Sequence, residues 1–234
     1  NNLGVNVYFN TDKNMEVSYE ISVGNKIEDF KRTLNNDSAS NYSKEHNYQI
    51  IGFVPGYKNI LKLIAKDELG NKKEFTIDMR GISINSDTIL DSKKGKSSYE
   101  LTDGLFVLFG LDKAFNANNY IYDNNGVIRA DLVINDYRSD KIIFDEGKMY
   151  YSYDINKIGV INRLGKVEKT YELENYEMHH DYVYDKKNNK LLILVNSTLE
   201  EDKTIEDLIV SLDMKTGEVK EIIDMKDLMP ETYK

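Results

Sequence analysis

Cysteine is absent from the 234-residue chain, which excludes a disulfide framework, a thiolate metal site and a cysteine nucleophile. Apolar runs are also short. None approaches the roughly 20 residues that a membrane-spanning helix needs, and no signal-peptide pattern is present. We therefore expect no membrane span. The first residue is asparagine rather than methionine, so an export signal could have been removed ahead of it.

Cations are the minority charge, with 31 Lys and Arg against 40 Asp and Glu and a net charge of −9. Binding to nucleic acid depends on clustered cations that face the phosphates. The lysine pairs of this chain are short and lie among Gly, Ser and Asn, which is typical of solvated turns. We expect no nucleic-acid partner.

Proline is scarce as well, with two in the chain, so Gly, Asn and Asp must form the turns. Apolar and aromatic residues recur with period two over short runs, and the 17 tyrosines suit half-buried strands. Clear runs are 5–9, 15–23, 48–54 and 191–195. The one short helix that the pattern predicts is Ile27 to Leu34. The fold class is therefore predicted to be all-β.

Residues 1–82 are predicted to form an N-terminal β-sandwich. Strand pairs are expected at 3–10 and 15–23, and a later hairpin is expected from 61–65, a turn at 68–71 and a return at 74–78. This organisation resembles an immunoglobulin-like or fibronectin type III module, in which a Gly turn closes the last hairpin. Such modules usually serve as scaffolds or as binding domains.

Residues 83–234 are predicted to form part of a β-propeller, after a polar, Ser- and Lys-rich junction at 83–100. Three strand–turn–strand repeats contain Gly126, Gly165 and Gly217, which are 39 and 52 residues apart, close to the length of a propeller blade. About three blades cannot close a ring. We therefore expect a chain truncated at its C-terminus, whose open edge a homodimer would cover.

Histidine is rare, and two of the three residues of this type are adjacent in His179-His180-Asp181. Because imidazole titrates near neutral pH, the pair predicts acid–base or nucleophilic chemistry. If the triplet belongs to a strand, alternation places His179 and Asp181 on one face and His180 on the other. Adjacent histidines then point apart, which argues against a metal site. The alternative is that both are ordinary strand-end residues.

Other candidates are weaker. Asp207, beside Glu206, could orient the triplet by contacting its side chains rather than the substrate. Acidic pairs at strand starts are, however, usually solvated. One of three arginines could bind a sulfate group in bidentate fashion, and the sequence does not choose among them. His46 is expected at the surface or as a cap. The tyrosines of segment 150–153 are expected to pack in the sheet rather than stack on an aryl ligand. The three arginines are Arg129, Arg138 and Arg163.

The third repeat carries a more specific resemblance. The order of His179-His180-Asp181, 188–194, 205–210 and 213–219 resembles the bacterial arylsulfate sulfotransferase (arylsulfotransferase) family. Members of that family combine an N-terminal β-sandwich with a six-bladed propeller, so the resemblance covers essentially the whole chain and implies an N-terminal fragment of such a protein.

The resemblance implies transfer of a sulfuryl group from a phenolic sulfate ester to a phenolic acceptor, without a nucleotide sulfate donor or another cofactor. In the family, a channel histidine forms a covalent sulfohistidine, and further histidines and an arginine bind the sulfuryl oxygens. The His179-His180-Asp181 element alone can be carried over, for donor binding or acid–base assistance. The nucleophilic histidine lies in a later blade, and none follows His180 here, so we expect this chain to lack it.

Two other functions stay open. One is a non-enzymatic, exported sandwich and propeller module that binds a carbohydrate or a protein partner, since propellers host many functions. The other, a propeller lyase or hydrolase, requires paired carboxylates and has no compelling spacing here. The resemblance predicts an extracellular or cell-envelope location.

Overall fold

The computed structural model describes residues 3–24, 27–35, 40–84, 104–111, 117–134, 139, 141–199 and 208–228. The chain divides into two compact units. The first contains Asn1–Leu108 and Asn119–Leu132, and the second contains Phe109–Asn118 and Val133–Lys234. The expected boundary at residue 82 stays a prediction.

Five antiparallel strands form the sheet of the first unit, in the order β2-β1-β4-β5 with β3 also paired to β1. The first half of β1 pairs with β3, and the second half pairs with β4 and β2. A register shift between Asn10 and Met15 separates the two halves. A strand that changes partners at such a shift forms a corner at which the sheet bends. The strands are β1 Val5–Ser22, β2 Phe30–Thr33, β3 Ser43–Ile50, β4 Asn59–Asp67 and β5 Lys72–Met79.

Two local predictions in this unit are wrong. Segments 3–10 and 15–23 do not pair with each other, because residues 5–22 form one continuous strand of 18 residues. The helix expected from Ile27 to Leu34 is also absent, since Phe30–Thr33 is strand β2. Phe30 is 3 % exposed in the core of the unit, so pairing with β1 and burial of this ring override the local helical preference.

The hairpin predicted around the turn at 68–71 is confirmed. Strands β4 and β5 pair from Asn59↔Met79 to Lys66↔Lys72. The Asp67 carboxylate accepts backbone N–H bonds from Leu69 and Asn71 at 3.0 and 2.8 Å. Together with the Asn71 side-chain amide, these donors lower the pKa of Asp67.

Three further strands, β6 Leu105–Leu111, β7 Ala117–Asp123 and β8 Ile128–Asp131, form a sheet in that order. Residues 105–108 of β6 and the part from Asn119 onward belong to the first unit. There the backbone N–H of Leu3 donates to the Asp131 carboxylate at 2.9 Å, and Leu3 packs in a small core with Tyr120, Tyr122 and Ile128.

Two four-stranded antiparallel sheets form the second unit. Each is a meander in which sequential strands are neighbours, the connectivity of a propeller blade. The all-β fold class is confirmed, while the number of blades stays a prediction. The first sheet contains β9 Ile142–Asp145, β10 Lys148–Asp154, β11 Lys157–Asn162 and β12 Val167–Glu172, and the second contains β13 Tyr176–Asp185, β14 Lys190–Ser197, β15 Leu208–Asp213 and β16 Val219–Asp224, followed by the short helix α1 Met225–Leu228.

One apolar core joins these two sheets. It includes Ile158 and Val160 of β11 and Leu191, Ile193 and Val195 of β14. The predicted Gly turns are confirmed by the tight connections β11–β12 and β15–β16, which contain Gly165 and Gly217 at φ +79° and +83°. These are left-handed conformations that favour glycine.

Candidate functional site: a histidine-bearing bulge

The His179-His180-Asp181 triplet forms a bulge in strand β13. Met178 lies opposite Val195 and Tyr182 lies opposite Ile193, so four steps along β13 face two steps along β14. Two extra residues must therefore be accommodated, and His180 does so in a left-handed conformation at φ +57°. Such a conformation is uncommon for a residue other than glycine, and bulges often occur beside active sites.

The bulge presents the two histidines differently. His179 is half-buried with both ring nitrogens shielded from solvent, whereas His180 is exposed. Their ring centroids are 5.4 Å apart with an interplanar angle of 81°. The predicted simple alternation across the triplet is wrong, because the bulge breaks the period of two between Met178 and Tyr182.

Asp181 pairs with Lys141, the residue directly before strand β9. Its carboxylate accepts a hydrogen bond from Lys141 Nζ at 2.7 Å and another from the backbone N–H of Tyr182 at 2.8 Å. The Lys141 ammonium is the main cause of the lowered pKa of Asp181. Asp181, which directly follows the two histidines in the chain, thus binds a cation. Lys141 itself was missed, because it is 40 residues away in sequence.

Tyr182 anchors the end of the bulge. Its hydroxyl donates to the backbone carbonyl of Lys141 and accepts the backbone N–H of Ser152 at 3.2 Å. At the other end, the Met178 N–H donates to the carbonyl of Ile155 at 2.8 Å. Both ends of the bulge are thereby tied to the first sheet of the unit, which restricts the backbone that carries the histidines.

No contact with the bulge supports the remaining sequence candidates that the structure describes. Asp207 and Arg138 lie outside the described residues. Arg163 is exposed in the β11–β12 turn. Arg129 belongs to the first unit and is 1 % exposed, held by Asp123 at 2.7 Å. Burial in that ion pair removes Arg129 from the candidates for sulfate binding.

The tyrosines of segment 150–153 pack in the sheet, as predicted. Tyr150 and Tyr151 are 7 % and 1 % exposed. Tyr150 stacks on Tyr184 with centroids 5.0 Å apart, and its burial raises its pKa to about 12. The Tyr151 hydroxyl donates to the carbonyl of Val133 at 2.6 Å. These two rings are core residues.

His46 is buried, so its expected surface or capping position is wrong. Its ring stacks on Phe9 at a centroid distance of 4.6 Å. Its Nε2 lies 2.9 Å from Thr11 Oγ1, and its Nδ1 lies 3.2 Å from the Tyr48 hydroxyl. Alternation along β3 turns this residue inward, and two hydroxyl partners make its burial tolerable.

His46 is expected to make stability depend on pH. Burial lowers its pKa below the ordinary value of 6.5, so the unfolded chain binds a proton at a higher pH than the folded chain does. The free energy of unfolding should therefore fall as the pH drops below about 6.5. Urea unfolding at about pH 7.5 and 5.5 tests this prediction. His46→Gln should lose the decline and His180→Gln should keep it; an equal decline in both variants would contradict the assignment.

Two features are absent from the part of the chain that the structure describes. No helix among the described residues is long and apolar enough to cross a membrane. No group of three or more His, Cys, Asp or Glu side chains in that part is arranged to hold a metal ion.

The fold and the bulge define a two-part β protein, with an N-terminal sheet domain followed by meander sheets that carry a histidine pair. Comparison with known families agrees with this description. A family model described as Arylsulfotransferase (ASST) matches residues 91–234, and one described as Arylsulfotransferase Ig-like domain matches residues 1–80. No curated protein matches the chain.

The chain belongs to the arylsulfotransferase family, because the first of these models covers more than half of it. The second model identifies the N-terminal domain as immunoglobulin-like. The resemblance noted in the sequence and the predicted immunoglobulin-like domain are both confirmed.

Proposed function

We propose that this chain takes part in sulfuryl transfer from a phenolic sulfate ester to a phenolic acceptor, and that the β13 bulge binds the donor. The observation that carries the proposal is an exposed and a half-buried imidazole on one restrained segment, with a lysine ammonium bound to the aspartate that follows them. His180, His179 and Lys141 are the groups concerned. Family membership supports the reaction class.

The chemistry requires positive charge and a proton carrier. As a nucleophilic nitrogen attacks sulfur, the S–O bond to the aryl group breaks and the leaving phenolate takes a proton. In the second step the acceptor oxygen attacks sulfur, the N–S bond breaks and the phenol proton passes to a base. A lysine ammonium has three N–H donors, and Asp181 takes one of them from Lys141. The others suit the non-bridging sulfuryl oxygens.

His180 is the proposed proton carrier, because it is the exposed imidazole of the pair. His179 is proposed to line the site and to fix the orientation of its neighbour through the perpendicular ring contact. The sequence resemblance assigns the attacking nitrogen to a histidine of a later blade, so neither residue needs to carry the covalent sulfuryl group.

The test is acceptor-dependent release of 4-nitrophenol from 4-nitrophenyl sulfate by the natural full-length protein. His180→Ala should lower kcat by about 10²–10⁴-fold, the usual contribution of a general acid or base. Glu177→Ala, an exposed change on the same strand, should retain the activity. Full activity of the His180 variant would exclude the proposed role.

The non-enzymatic alternative has its own expected outcome in this assay. A well-folded full-length protein that releases no nitrophenol with any phenolic acceptor would favour a binding module. Export to the cell envelope stays a prediction.

A further inference from the structure

Strand β5 is an open edge of the first unit. It pairs with β4 along its whole length, and no second neighbour of β5 is found among the described strands. Seven of its eight residues, 72–78, are exposed. In an antiparallel strand alternate N–H and C=O groups point away from the existing neighbour, so β5 offers a row of them for another strand.

An apolar surface accompanies this edge. Phe75 lies opposite Leu63, and Ile77 lies opposite Leu61. Directly opposed residues share a face of the sheet, and on β4 this face is core, with Leu63 and Leu61 only 5 % and 1 % exposed. Phe75 and Ile77 are 52 % and 43 % exposed. The apolar side chains on the core-facing side of β5 are therefore only partly covered by the rest of the unit.

We propose that β5 pairs with β5 of a second copy of this chain, so that the two sheets become continuous across a two-fold axis. The axis must be perpendicular to the sheet, because no other two-fold axis reverses the strand and places it beside its copy. This axis keeps each residue on its own face of the sheet, and opposed residues must share a face. The residue that lies on the axis must therefore be opposite its own copy. With Phe75 on the axis, Lys72 lies opposite Asp78 of the partner subunit, and all of 72–78 is paired.

Charge favours this register over its two nearest alternatives. With Phe75 on the axis, Lys72 meets a carboxylate, Lys73 meets an isoleucine and Glu74 meets a threonine. A slip by one allowed step in one direction places Glu74 opposite Asp78 of the partner subunit, and a slip in the other direction places Glu74 opposite its own copy. Like charges directly opposed are destabilising. Charged residues usually protect an edge against pairing in general, and here they disfavour the two neighbouring registers.

The interface expected from seven residue pairs is small. It joins backbone groups and the two exposed apolar side chains of each copy without a large flat apolar surface, so association should be reversible and dependent on concentration. The proposal is independent of the sulfuryl-transfer function, because its readout is molecular mass.

Sedimentation velocity of the full chain over a range of concentrations tests the proposal. The unmodified chain should form dimers. Lys72→Asp places two like-charge pairs across the axis and should raise the dissociation constant about tenfold, which corresponds to about 1.4 kcal/mol. Asp78→Lys should also weaken the dimer. The double variant Lys72→Asp/Asp78→Lys should restore it, since the two charges are exchanged.

Asp78 also has two intramolecular partners, Lys58 and Arg80, whose side-chain nitrogens lie 2.7 and 3.7 Å from its carboxylate. Rescue by the double variant is therefore the decisive comparison, because the loss of these intramolecular pairs would persist in it. The matched control is Lys44→Asp, an exposed charge reversal on β3, which pairs only with β1 among the described strands. This control should dimerise like the unmodified chain.

A cross-link tests the register directly, because the chain has no native cysteine. Opposed Cα atoms in an antiparallel pair are about 4.5–5.5 Å apart, within disulfide range. Phe75→Cys should form a covalent dimer on mild oxidation, and Ile77→Cys should do so far less. A monomeric unmodified chain at every concentration, or a dimer that neither Lys72→Asp nor Phe75→Cys affects as described, would overturn the proposal and leave the edge to another partner.

Discussion

Replacing Arg129 with leucine is expected to lower the free energy of unfolding of the first unit by about 3–5 kcal/mol, the usual cost of breaking a buried ion pair from one side. The Arg129 guanidinium donates to the Asp123 carboxylate at 2.7 Å and to the carbonyls of Gly52 and Glu28 at 3.2 and 2.8 Å. Leucine would leave a shielded carboxylate and two carbonyls without this donor.

The surroundings of Arg129 cannot relax easily. The backbone of Gly52 donates to the carbonyl of Arg129 at 2.7 Å, and a Cβ at position 52 would lie 2.3 Å from the Phe30 ring. Three separate segments of the first unit meet at this point, so a displaced carbonyl has no space in which to find a new partner.

Chemical unfolding followed separately for the two units measures the effect of the Arg129 variant. Arg32→Leu is the matched control, because the Arg32 guanidinium also lies over the Phe30 ring, at 4.2 Å from its centroid, but is partly exposed. That change should cost about 1 kcal/mol or less. Equal losses in the two variants would show that the ring contact, and not the buried network, stabilises the unit.

Tyr182→Phe is expected to cost about 2–3 kcal/mol in the second unit and to lower the sulfuryl-transfer rate. The hydroxyl group serves a backbone carbonyl and a backbone N–H, and phenylalanine leaves both groups buried without it. The same bonds hold the end of the bulge that carries His180. A looser bulge should lower kcat more than it changes KM, because orientation of the proton carrier matters most in the transition state.

Tyr184→Phe is the matched control for Tyr182. Tyr184 lies on the same strand, and its hydroxyl donates to the exposed Asn189 side chain at 2.8 Å. The Tyr184 side chain also hydrogen-bonds the buried Tyr150, so we expect a stability loss of about 1 kcal/mol or less and unchanged kinetics. If Tyr182→Phe loses stability but keeps kcat and KM, Tyr182 supports the fold without positioning the histidines.

The strands and turns of this molecule could be predicted from the sequence, because they depend on interactions between residues close together in the chain. The alternation of apolar residues indicated strands, since side-chain direction in a strand follows from the backbone alone. The turns were readable because an Asx side chain followed by glycine forms a local structure: Asn162 accepts the N–H of Leu164 and Lys166, and Asp213 accepts those of Lys215 and Thr216. The rare histidine pair could also be identified from the sequence, since the number and spacing of histidines do not depend on the fold.

Contacts between distant segments decided the rest. The helix expected near Phe30 became a strand because β1 and Arg129 gave its ring a buried position, and His46 turned inward against Phe9. At the site, alternation failed because of a bulge whose partners are Ser152, in another sheet, and Lys141, directly before the first strand of that sheet. Periodicity describes one strand at a time, whereas a bulge, a buried ion pair and an open edge exist only when strands from different parts of the chain meet.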